Sequence, residues 1–189
     1  MSEEYAATES GRPSTTAEDF LVREQRTVLL VGEIDEWSAR KTMFSLYSLV
    51  GEDRIHLVIN SPGGSVFDGH AIYDTIRRMV VRGNTVEGYV AGHAMSIAVF
   101  PLLACSHRVM STNAMLMVHG MESFKVGDVR DMEADADGAN KILDIQARML
   151  AERSNCSFEY WRDILKVHTP QYMTAGEALS LGLVDEVRD

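Results

Sequence analysis

Cysteine is scarce in this chain, with two in 189 residues, Cys105 and Cys156. Two cysteines cannot form a disulfide framework, and their spacing is not that of metal ligands, so a reduced compartment is the simpler reading. Basic residues are also short: 18 Lys and Arg against 28 Asp and Glu give a net charge of −10. That balance argues against nucleic acid or an anionic membrane as the main partner. Long apolar runs are missing, the longest candidate being Ile97 to Cys105, far short of a membrane span. The first residues, Met1-Ser-Glu-Glu-Tyr, are acidic and lack an apolar signal core. Cytoplasm is the resulting expectation. The histidines and cysteines are not at ligand spacing, so neither a metal nor a cofactor is expected.

What remains is an ordinary soluble composition, 46% apolar and 24% charged, in a length that suits one domain. Residues 1–19 are polar and acidic and read as a flexible arm. Residues 20–189 read as a single α/β domain. Thr27 to Val31 is a β-prone run closed by Gly32, and a helix is expected from Glu36 to Val50 with Ala39, Met43, Leu46 and Val50 on one stripe. Arg54 to Ile59 is the next strand, and its apolar end suits an inner parallel position. Asn60-Ser-Pro-Gly-Gly-Ser65 then breaks it, as a tight turn or as an anion or oxyanion nest, and opens a helix from Phe67 to Val81. The glycines match neither the dinucleotide fingerprint nor a phosphate-binding loop with its lysine.

The third strand, from about Asn84 to Val90, runs into Ala91-Gly-His-Ala-Met-Ser96 and then an apolar helix to Ala104. A strand that turns directly into a helix brings the first helical side chains and unpaired N–H groups to the sheet edge. Ser96 at that junction is a candidate nucleophile, although serines near helix starts more often cap or pack. His107 to Met110 and Ala114 to Val118 are short strands, the second ending at His119. In parallel α/β folds the carboxyl ends of strands gather the active site. Of the six histidines, His119 is best placed to approach Ser96. His56 sits within a strand, His70 near a helix start, and His93 close to the serine in a turn.

A long helix is expected from Gly127 to about Arg153, longer than a cover over a small sheet needs. Phe158 to Leu165 is a shorter helix, and His168 to Met173 is irregular. Thr174-Ala-Gly-Glu177 reads as a capping box that starts a last helix before Gly182.

Asn60-Ser-Pro-Gly-Gly-Ser-Val66, Ala71-Ile-Tyr-Asp-Thr75, Gly92-His-Ala-Met-Ser96, Met117-Val-His119 and Gly182-Leu-Val-Asp185 together resemble the Clp protease proteolytic subunit family. The resemblance runs in order from about Arg26 to Val187. It implies the ββα spiral fold that this family shares with crotonase-like enzymes, and stacked heptameric rings forming a tetradecamer around a closed chamber. It implies a serine endopeptidase acting on unfolded polypeptides or peptides, partnered by an AAA+ unfoldase. Ser96 matches the nucleophile and His119 the general base. The backbone of Gly64 and of Met95 or Ile97 lies near the oxyanion positions, with Ile97 as the donor next to the serine. The long helix from Gly127 matches the handle that interdigitates with the opposite ring.

Two departures mark a divergent member. The family's triad aspartate falls on Pro170, which has no side-chain acceptor; the role is open to Thr169, His168, Asp163 or a backbone carbonyl, or is absent. Asp185 matches a structural position. Residues 1–20 do not resemble the family's short axial segment. Three alternatives follow: a weak or inactive structural subunit of a mixed ring, a phage capsid-maturation type of protease, and an acyl-CoA enzyme of the related spiral fold.

Overall fold

The computed structural model describes residues 17, 21–22, 24–51, 54–120, 129–167 and 169–189, with the side chains of 129–135 outside that description. The expected arm, apart from Ala17, the start of the long helix at Gly127, and His168 all lie outside the described residues.

The βα rhythm is present from the first strand onward. β1 (Thr27–Ile34), α1 (Glu36–Ser48) and β2 (Arg54–Gly64) follow one another, with β1 and β2 parallel. α1 starts at Asp35 because of a reciprocal cap. Ser38 N–H donates to Asp35 Oδ1 at 2.7 Å, and Asp35 N–H donates to Ser38 Oγ at 2.9 Å. Its inner face is Ala39, Thr42 and Leu46. Val50, expected on that stripe, lies beyond the helix end and is exposed.

α2 (Val66–Val81) buries Ile72, Ile76 and Met79 as its periodicity requires. β3 (Thr85–Met95), α3 (Val99–Ala104), β4 (His107–Met110) and β5 (Met115–Val118) come next. The main path of the sheet is β1-β2-β3-β4-β7, all parallel, where β7 is Glu186–Val187. Ile55, Leu57, Ile59, Val86 and Val90 of the two inner strands are fully buried, which explains their near-continuous apolar sequences.

Both inner strands outrun their expected ends. The Asn60 to Gly64 segment is not a turn but the last part of β2, paired with β1 as far as Ile34↔Gly64. The ladder absorbs the glycines through register shifts, one between Val31 and Glu33 and one between Ile59 and Ser61. β3 likewise continues past Val90. Its first half pairs with β4 (Glu87↔His107 to Val90↔Met110), and its second half pairs with β5 (His93↔Met115 to Met95↔Met117). β3 thus hands its edge from one neighbour to another, and the serine junction arrives five residues later than the apolar run alone implied.

The last third braces this sheet. α4 (Val129–Glu152) packs on α5 (Phe158–Lys166), with Ala147, Leu150, Trp161 and Leu165 buried between them and the core. Among the described side chains of α4, burial is confined to its second half. The segment after α5, expected to be irregular, contains β6 (Gln171–Thr174), which pairs antiparallel with β5. Cross-strand hydrogen bonds with β5 hold it extended despite its lack of an apolar pattern. α6 (Ala175–Ser180) starts at the expected Thr174–Glu177 capping box.

Candidate active site

Ser96 follows the last residue of β3 and opens a single 3-10 turn, Ser96–Ala98. Its φ is +55°, a left-handed conformation that a side-chain-bearing residue holds at a cost of about 1–3 kcal/mol. The surroundings over-determine it. Ala94, Ile97 and Ala98 are buried on either side. Gly63 at the end of β2 passes so close that a Cβ there would lie 2.8 Å from Ser96 Cβ and 3.3 Å from the Ile97 nitrogen. A Cβ on Gly69 in α2 would lie 2.3 Å from Ile97 Cγ1, so α2 packs directly on the turn only because that residue is glycine. Glycines on two elements seat one serine.

His119 directly follows β5. The β3–β5 register pairs Met95 with Met117, and continuing it carries His119 alongside the serine turn. His119 Nε2 stands 2.8 Å from Ser96 Oγ. The ring can therefore take the hydroxyl proton directly. The β5–β6 register pairs Val118 with Gln171, so the next step sets Pro170 across from His119. Neither Thr169 nor Asp163 hydrogen-bonds to His119: Thr169 O accepts from Gln171 Nε2 at 3.3 Å, and Asp163 is exposed on α5. Asp185 is occupied elsewhere. It accepts from Arg108 N–H at 2.8 Å and Arg108 Nε at 3.0 Å. Burial works against its ionisation, but these Arg108 bonds outweigh that and hold its carboxyl below the ordinary range.

The other histidines do not reach the serine. His56 Nδ1 lies 3.4 Å from Glu87, and His107 Nε2 lies 3.1 Å from Glu186. His93 sits in β3 opposite Met115 without a bond to Ser96. His70 packs edge-on against Phe100, with ring centroids 5.9 Å apart. Its Nε2 is buried without a hydrogen-bond partner, and burial lowers its pKa, partly offset by Asp74.

A cavity of about 140 Å³ opens beside the Ser96–His119 pair. Gly64 and Ile97, the expected oxyanion residues, both line it. The Ile97 N–H lies in the first turn of its helix, where no intrahelical acceptor exists. Phe100, Gly120, Gln146 and Leu165 complete much of the wall. The last three were not among the residues that the sequence singled out. Gly120 is fixed by a close approach, since a Cβ there would lie 2.0 Å from the Leu165 carbonyl oxygen. Gln146 and Leu165 come from α4 and α5, and no local motif links them to the serine. Among the described residues, no group of three or more His, Cys, Asp or Glu is gathered as a metal site, and no helix is long and apolar enough to cross a membrane.

The model of the Clp protease family matches residues 12–189. The chain is 35% identical to ATP-dependent Clp protease proteolytic subunit 3 of Streptomyces coelicolor, over 96% of this chain and 85% of that protein. It is equally 35% identical, with the same coverage, to ATP-dependent Clp protease proteolytic subunit 1 of Streptomyces avermitilis. Because the likeness runs through every element from β1 to β7 rather than through the serine junction alone, the chain belongs to the Clp protease family.

Proposed function

We propose that this chain is a serine peptidase subunit that cleaves unfolded polypeptides and peptides, with Ser96 as nucleophile and His119 as general base. The observation that carries the reading is the 2.8 Å contact between His119 Nε2 and Oγ of a serine held in the left-handed region. His119 takes the Ser96 proton as Oγ attacks the scissile carbonyl carbon. The carbonyl oxygen gains negative charge and is held by the N–H groups of Ile97 and Gly64. The tetrahedral intermediate collapses to an acyl-serine as His119 returns its proton to the leaving amine. Water, deprotonated by the same ring, then attacks the acyl-serine, and the proton goes back to Ser96 Oγ.

Assembly into stacked rings with an AAA+ unfoldase belongs to the same proposal. It is supported by the exposed stripe Trp37, Phe44 and Tyr47 along α1, an apolar face that one chain leaves uncovered. No side chain in the described part of α4 before Gln146 is fully buried in a single chain, which suits an arm reaching a second ring.

A second reading is favoured by one observation, the placement of Pro170 across from His119. Without an acceptor behind the ring the imidazole tautomer is not fixed, and the chain would serve as a weak or inactive member of a mixed ring. One experiment separates the two. Full-length protein is treated with a fluorophosphonate probe and assayed on a fluorogenic peptide beside Ser96→Ala and His119→Ala. Labelling and turnover lost in both variants support the peptidase. An assembled wild-type protein that neither labels nor cleaves sinks it and leaves the structural subunit.

A further inference from the structure

Gln146 is 6% exposed, and it makes no hydrogen bond among the described residues. Its amide is not sealed in the interior, since the buried side-chain polar atom left without a partner among the described residues is His70 Nε2, so Gln146 remains able to take a partner from outside the chain. The place where a partner could reach it is the cavity beside Ser96 and His119, which Gln146 lines. The other walls around it are apolar: Val66, Phe100, Val118 and Leu165. Apart from the Ser96–His119 pair, Gln146 is the only polar side chain among the described lining residues.

We propose that Gln146 is a specificity-determining residue, which selects substrates with an uncharged amide side chain, glutamine above all, at the residue whose carbonyl is attacked. This rests on the Ser96–His119 reading above. The cavity shares Gly64 and Ile97 with the oxyanion donors, so the side chain entering it belongs to the residue carrying that carbonyl. Its volume of about 140 Å³ corresponds to about four to five water-sized units, which suits a side chain of about five heavy atoms. A primary carboxamide offers one acceptor and two donors, the complement of what Gln146 presents. The apolar walls accept the methylene stem. A carboxylate or ammonium would lose its hydration here against a single amide dipole, which disfavours charged residues. An aliphatic side chain would leave Gln146 unpaired, and a site built around a polar group rejects such analogues strongly.

The test uses full-length protein and Gln146→Met, which keeps side-chain length and removes the amide; circular dichroism establishes that both are folded. Fluorogenic peptides differing only in glutamine, leucine or glutamate at the cleaved residue are compared. Wild type is expected to favour glutamine over leucine by about tenfold in kcat/KM, and Gln146→Met to reverse the order. A second arm measures binding of the same peptides, without fluorophore, to Ser96→Ala by calorimetry, where no chemistry is needed. The same glutamine preference is expected there. If glutamine and leucine bind and react alike, or if Gln146→Met keeps the wild-type order, the proposal falls. A glutamine preference in binding, with no fluorophosphonate labelling of the wild-type protein, would keep the subsite and overturn the catalytic reading instead.

Discussion

Pro170 faces His119 across the β5–β6 ladder, one step beyond the Val118↔Gln171 pair. The imidazole touches Ser96 through Nε2, so an acceptor that orients it must come from its other side, and position 170 is the neighbouring strand's candidate for that role. Proline offers no side-chain acceptor.

Replacing it should therefore be informative. Pro170→Asp is expected to raise kcat toward fluorogenic peptides by about tenfold or more, since a misoriented tautomer costs orders of magnitude in serine hydrolases. The pH–rate profile should move with it, because a carboxylate beside the ring stabilises the imidazolium. Unchanged kcat in a folded, assembled variant would mean that another group already orients His119.

Gly63 should tolerate no side chain. In Gly63→Ala the new Cβ would meet the Met95 carbonyl oxygen at 2.7 Å and Ser96 Cβ at 2.8 Å, at a backbone φ of +97°. Loss of fluorophosphonate labelling is expected together with destabilisation of about 1–3 kcal/mol in urea unfolding. A variant that labels like wild type would show that the serine turn is not seated on β2.

Acid should find His70 before it finds the carboxylates. Its pKa is lowered, chiefly by burial, so the folded state binds its proton less readily than the unfolded chain. That stability is intact above the ordinary histidine value of 6.5 and is lost as pH falls through and below it. His70→Met removes the buried unpaired nitrogen and should gain about 1 kcal/mol at neutral pH, and more near pH 5. A gain that shrinks as pH falls would contradict this account.

The Arg108–Asp185 pair ties β4 to the approach to β7, and Arg108 Nη1 also donates to Gly182 O at 2.9 Å. The Asp185 carboxyl is held low, so its contribution is present above the ordinary aspartate value of 3.8 and fades as pH falls through the lowered one. Asp185→Asn should cost on the order of 2 kcal/mol at pH 7, less than for a fully buried pair because Asp185 remains about a third exposed. The Tm difference from wild type should close in strong acid. Peptide binding to assembled protein should be unaffected, which separates this bracing role from a catalytic one.

The helices were largely legible in the sequence because each depends on local signals. The 3.6-residue spacing of Ile72, Ile76 and Met79 and the Thr174–Glu177 cap act within a turn or two, so they can be read without knowing the partners. That Ser96 and His119 come together was legible for a related reason. Each follows a strand of a parallel sheet, and such ends converge whatever the loops between them do.

The ends of β2 and β3 were not. Gly63, Gly64 and Gly92 signal a turn by composition, yet all three lie within strands because neighbouring strands supply hydrogen bonds and absorb the bulges. β6 was hidden likewise, since its extended state depends on β5.

By itself, then, the sequence determined the βα order, the family pattern, and the proline where an aspartate was expected, because these are carried by residue identity and short spacing. Only the tertiary structure decided that Ser96 sits 2.8 Å from His119, that the strand register brings Pro170 next to the His119 position, and that Gln146 joins the same cavity. Those relations join residues far apart in the chain, and they exist only once strand register and helix packing have fixed where each element ends.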